Sequence, residues 1–150
     1  MRLRELRLQY VATDPAVTID GRAALSTPTD AAAALRPLLE DEPCEVFAIL
    51  LLNTKHRAIG LHVVSRGTLD STTVHPREVF KAAIVANAAA IITAHNHPSG
   101  DPTPSPNDLA AWTRLDSAAA ILGIDCLDHL VIGHDGRTFS ARAAGHMVKP

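Results

Sequence analysis

Residues 45–53, EVFAILLLN, constrain this chain most, because past the first residue every position up to Asn53 is apolar. A strand with one face in water alternates apolar and polar residues, so an unbroken run marks a strand covered on both faces. Helices must pack on that sheet, and the fold class is α/β. With 150 residues, 47% hydrophobic and 20% charged, the chain has one domain's length and the make-up of an ordinary globular protein. The longest uncharged stretch, residues 82–94, is broken by Asn87 and falls short of the roughly 18 residues a membrane span needs. It belongs in a core, and no membrane partner is expected. Arg2, Arg4, Glu5 and Arg7 have no apolar run behind them, which does not fit a secretory signal and makes the cytoplasm the expected location. Cys44 and Cys126 lack the short spacing of a zinc ribbon and read as buried, reduced thiols. The net charge of -2 supplies no chain-wide positive field, so nucleic acid is not the default partner. Arg2, Arg4 and Arg7 read as the solvated side of an edge strand.

Residues 3–11 alternate partly and predict that edge strand, followed by a turn-rich stretch. The chain divides into a lead-in at 1–26, a domain at 27–143 and a tail at 144–150. Thr27-Pro28-Thr29-Asp30 opens an alanine-rich helix that Pro37 should end or kink. The apolar strand at 45–53 turns through NTKHR into a second strand at 58–65, forming an antiparallel hairpin closed by Gly67. His75-Pro76-Arg77-Glu78 begins a second helix with Val79, Phe80, Ala83, Ile84 and Asn87 on one stripe. A central strand follows at 90–97, then a Pro- and Gly-rich loop, then a third helix opened by Ser105-Pro106-Asn107-Asp108. That helix turns Leu109, Trp112, Ala119 and Leu122 inward, and Gly123 ends it in the left-handed conformation. A strand at 127–133 and an Asp-Gly hairpin into residues 138–140 complete the pattern.

His95 and His97 are two apart at the end of a strand, so both side chains leave the same face and can meet on one ion. Such a pair alone is within chance for a chain with eight histidines. Ser105 and Asp108, eight and eleven residues past His97, sharpen it. A turn that brings the third helix back over the strand end aims Asp108 at the two imidazoles. Two imidazoles and one carboxylate favour zinc, and three protein ligands leave a fourth position for water, the mark of a catalytic site. Glu45, the lone carboxylate at the mouth of the apolar strand, is the candidate general base, and Ser105 can donate to an oxyanion.

The segment HNHPSGDPTPSPND, residues 95–108, resembles the metal motif of JAMM domains, also called MPN+ or JAB1-type, in the version of RadC-like bacterial proteins. Residues 45–53, 65–69, 75–81 and 128–133 echo the same family, and the likeness covers about residues 27–140. It implies a JAB1/MPN-like, cytidine-deaminase-like layered fold, with a curved mixed sheet flanked by helices. It further implies His95, His97 and Asp108 as zinc ligands, Glu45 as the base that activates water, and Ser105 as oxyanion support. The implied activity is zinc-dependent hydrolysis of a peptide or isopeptide bond, with a peptide or protein as substrate. RadC-like proteins also carry a DNA-repair label. It leaves as alternatives a repair or mobile-element-associated interaction module with little catalysis, or a metal-dependent nuclease.

Plainer readings exist for several of these residues. Ser-x-x-Asp is a helix capping pattern, and two other helices here open with an acid at the same position. His75 and His129 read as structural, while Asp128 either orients His129 or caps a turn. Trp112 and Phe80 read as core, and Arg77 and Lys81 as a solvated face.

Overall fold

The structure, a computed structural model, describes residues 9–11, 24–25, 27–67 and 74–147. In chain order these form α1 (Pro28–Leu39), β1 (Val46–Leu52), β2 (Ala58–Arg66), α2 (Pro76–Val85), β3 (Ala90–Asn96), α3 (Pro106–Leu122), β4 (Asp125–Ile132) and β5 (Thr138–Ser140). The strands make one mixed sheet in the order β2-β1-β3-β4-β5. β3 and β4 run parallel and the other neighbours antiparallel. The parallel pair requires a crossover, and α3 supplies it.

β1 and β3 are buried along their whole lengths, as the unbroken apolar run requires. Strand alternation splits their side chains between two helical layers. On one face Leu35 and Leu39 of α1 pack against Ala48, Leu50, Leu52, Ile92 and Ala94. On the other, Val79, Phe80 and Ala83 of α2 and Leu115 and Ala119 of α3 pack against Phe47, Ile49, Leu51 and Ile91. His95 follows the parity of Ile91, so its ring lies on the α3 side.

The helices begin as the sequence requires, with Thr27, His75 and Ser105 as N-caps and proline at the first helical position of each. Gly123 ends α3 at φ 67°. Positive φ at Asp135 (56°) and Gly136 (76°) gives the tight hairpin into β5.

Some expectations need correction. Pro37 does not end α1, which continues to Leu39. The carbonyl that loses its donor is that of Ala33, on the exposed side of the helix, open to solvent. In α2, Ile84 is 56% exposed and Asn87 lies past the C-cap Ala86, so the buried stripe stops at Ala83. Leu122 in the last turn of α3 is also exposed, because the sheet does not reach beneath it. β4 starts two residues early, at Asp125. Residues 9–11 of the expected edge strand form no strand, and the rest of it, with Arg2, Arg4 and Arg7, lies outside the described residues.

The loop from β3 to α3 is pinned to the end of β4. His134 N–H and Arg137 Nη2 both donate to the Gly100 carbonyl, at 3.1 and 2.9 Å. A Cβ on Gly133 would come within 2.5 Å of that oxygen, so the approach requires glycine there.

Candidate metal centre

β3 ends at Asn96, α3 starts ten residues later, and the intervening loop folds the helix back over the strand end. Asp108 occupies the third position of α3, where a capping box fixes it: Ser105 N–H and Oγ each donate to Asp108 Oδ2 at 2.7 Å, and Asp108 N–H donates to Ser105 Oγ at 3.2 Å. The capping reading and the site reading therefore apply to the same carboxylate. Asp108 Oδ1 lies 3.1 Å from His95 Nε2, Asp108 Oδ2 lies 3.3 Å from His97 Nε2, and the two Nε2 atoms are 3.1 Å apart. Four donors held at about 2.0–2.1 Å around a tetrahedral ion stand about 3.3 Å from one another. The residues fit such an ion, and this cluster could hold a metal. His95 is fully buried and stacked on Phe47, whereas the His97 and Asp108 side chains keep 14% and 13% of their surface in solvent.

Proton placement points the same way. His97 Nδ1 lies 2.8 Å from the Asp101 carbonyl, which can only accept, so Nδ1 carries the hydrogen and Nε2 turns its lone pair inward when the ring is neutral. That lone pair would face the Asp108 oxygen unless a proton or a cation lies between. The Asp108 hydrogen bond, against the opposing effect of burial, holds the His97 pKa above its ordinary value, with help from the Asp101 carbonyl and the Asp108 and Glu45 charges. Burial pushes the Asp108 carboxyl up, but hydrogen bonds from His95 and His97 outweigh it and hold the carboxyl well below its usual range.

The sign of the pH effect follows. In the metal-free chain His97 contributes stability below its unfolded pKa of about 6.5 and loses it as pH rises through the raised folded value. Asp108 contributes above about 3.9 and loses its contribution as pH falls through the depressed value. Both act between those limits. A cation instead needs His97 neutral, so its affinity falls about tenfold per pH unit below the raised histidine pKa. Calorimetric titration with zinc across this range checks the slope, and a flat profile contradicts it.

Glu45 precedes β1, with its carbonyl accepting from Gly67 N–H at 2.9 Å, and its carboxylate is close enough to act on the His97 charge. Ser105 stands against Asp108, and its only hydroxyl hydrogen goes to that carboxylate. Sequence reasoning overlooked Asn96. Lying between the two histidines, it faces the opposite side of the sheet and is buried. Its Oδ1 accepts from Val46 N–H at 2.7 Å, and its Nδ2 donates to the carbonyls of Cys44 (3.1 Å) and Glu42 (3.3 Å). One side chain thus fastens the segment that carries Glu45 to the end of β3, between the two histidines. The available signal was an amide in a buried strand, which must find partners. Asn96→Ala leaves a buried N–H and two carbonyls unpaired and should cost about 2–4 kcal/mol in denaturant unfolding; a loss within the error of the extrapolation contradicts the clamp.

A RadC-like JAB domain profile matches residues 25–146. The chain belongs to the RadC-like JAB domain family. A UPF0758 protein of Staphylococcus aureus (strain bovine RF122 / ET3-1) is 47% identical over 127 residues, 85% of this chain and 55% of that protein. Another, from Desulforamulus reducens, is 45% identical over 130 residues, 87% of this chain and 57% of that protein. The chain spans just over half the length of these curated relatives.

The mixed sheet between helices agrees with a JAB/MPN-like fold. Among the described residues no helix is long and apolar enough to cross a membrane. The remaining polar residues of this RadC-like JAB domain divide cleanly. His75 Nδ1 accepts from Arg77 N–H at 3.2 Å and serves as the cap of α2. Asp128 accepts from Ser140 Oγ (2.6 Å), Arg142 N–H (2.9 Å) and His129 N–H (2.8 Å), so it caps the turn after β5 and does not orient the His129 ring. Trp112 and Phe80 are core, and Lys81 and Arg77 pair with Glu78 on the surface. His129 is buried in a polar network with Thr93 and Asp116. Both cysteines are free and partly buried.

Proposed function

We propose that this domain is a zinc-dependent hydrolase of the JAMM type that cleaves a peptide or isopeptide bond in a peptide or protein substrate. The observation that carries this reading is the convergence of His95 Nε2, His97 Nε2 and the Asp108 carboxylate at 3.1–3.3 Å, at the C-terminal end of β3. These three side chains would hold the ion and leave a position for solvent. When bound, zinc supplies Lewis acidity, bringing the pKa of a coordinated water to about 7.

The chain's own residues supply the rest. Glu45 takes the proton from the attacking water and passes it to the departing amine, the two halves of general base and general acid catalysis. Ser105 turns its hydroxyl from Asp108 to the substrate carbonyl oxygen as negative charge develops there. Its backbone N–H keeps hold of Asp108 meanwhile. The Asp101 carbonyl keeps the His97 ring in the tautomer that binds a cation.

The test compares the chelator-stripped chain with the same chain reloaded with zinc, on pools of linear and isopeptide-linked peptides. Cleavage that appears only after zinc is restored supports the reading. Equal cleavage by both forms, or none by either, overturns it.

A further inference from the structure

Beneath the site just described lies a second group of metal-binding side chains, formed by Asp116 of α3 and Cys126 and His129 of β4, whose donor atoms all lie within 4.8 Å of one another. Residues three apart on a regular strand point to opposite faces, so Cys126 and His129 should not meet. They do because β4 carries a bulge: Ile91 pairs with Cys126 and Ile92 with Asp128, which leaves Leu127 as the extra residue. The bulge returns Cys126 to the face of His129, and a bulge that re-aims a side chain commonly marks a functional position.

The ring of His129 is held from both sides. Thr93 Oγ1 lies 2.6 Å from Nδ1, and Trp112 stacks over the ring at a centroid distance of 5.3 Å and 3° between planes. Nε2 therefore has a fixed direction, 2.9 Å from Asp116 Oδ1, while Cys126 Sγ stands beside the ring, 3.7 Å from Nε2 and 3.9 Å from Nδ1. A polar partner on the far nitrogen is the usual support of a metal-bound imidazole.

We propose that Asp116, Cys126 and His129 form a second, enclosed metal site that takes zinc or a divalent ion of similar softness. The sulfur, nitrogen and oxygen donors select such an ion over magnesium or calcium, which take oxygen alone. On binding, the Cys126 S–H bond breaks, its proton leaves to solvent, and the thiolate joins the ion. Three donors leave a fourth position here as well, but burial under Trp112 closes it to substrate, so the ion's role is to hold the two elements together. It ties α3 to β4 two turns below Asp108, and thereby fixes the helix that presents Asp108 to the histidines.

The metal-stripped full chain is titrated with Co2+ and followed for the near-ultraviolet charge-transfer band that only a thiolate ligand gives. The first centre contains no sulfur, so the band reports the second alone. We expect the wild-type chain to bind a second equivalent with the band. Asp108→Asn should lose one equivalent and keep the band, Cys126→Ser should keep one equivalent and lose it, and Cys44→Ser should change neither. Absence of the band in wild type at saturating Co2+, or its loss in Cys44→Ser with survival in Cys126→Ser, overturns the proposal. The wild-type reading needs no variant to fold. Because the band is independent of catalysis, failure here leaves the hydrolase reading standing, and failure of hydrolysis leaves this one standing.

Discussion

Asp108→Asn empties the site of its ion while the helix that carries it stays in place. Asparagine keeps the shape and one acceptor oxygen, so Ser105 N–H can still be capped, but the negative charge that would hold a cation between two imidazoles is gone. Loss of a residue that merely orients a ligand typically weakens metal binding about 10–100-fold; loss of a ligand itself should exceed that, with hydrolysis falling in step. Asp30→Asn is the internal control. Asp30 makes the same capping box with Thr27, at 3.0 and 3.1 Å, with no histidine beside it. Each variant should lose about 0.3–1 kcal/mol of helix-dipole stabilisation, and only Asp108→Asn should lose metal by mass spectrometry of the native chain. Equal metal content in the two variants would show that Asp108 is a cap and nothing more.

Glu45→Gln separates chemistry from binding. The amide has the carboxylate's size but cannot take a proton from water, so kcat should fall about 10²–10⁴-fold, the usual contribution of a positioned general base. Metal content and unfolding midpoint should stay at the wild-type level, since Glu45 is not among the three converging donors. Activity unchanged in the loaded variant would assign the base to another group. Loss of metal together with activity would instead make Glu45 a ligand.

Local grammar made much of this legible. The continuous apolarity of residues 46–52 implied a two-sided sheet, and the three proline-led helix starts were readable because proline fixes φ before any tertiary contact forms. Spacing alone brought His95 and His97 to one face. What escaped depends on neighbours distant in sequence. Nothing near Asn96 reveals that its amide will clasp a segment about 50 residues earlier. Ile84 and Leu122 fit the helical period yet face solvent, because period locates a stripe and not the edge of the surface beneath it. The bulge at Leu127 likewise reverses a side-chain parity that regular alternation would have assigned wrongly.

The β3–loop–α3 unit supplies both histidines and Asp108 within one short stretch, whereas Glu45 arrives only through the pairing of β1 with β3. On the proposed function, cation capture would belong to a local piece of the chain and proton transfer to the completed sheet. Because contacts of long sequence separation close more slowly than local ones, the three converging side chains should come together before Glu45 reaches them.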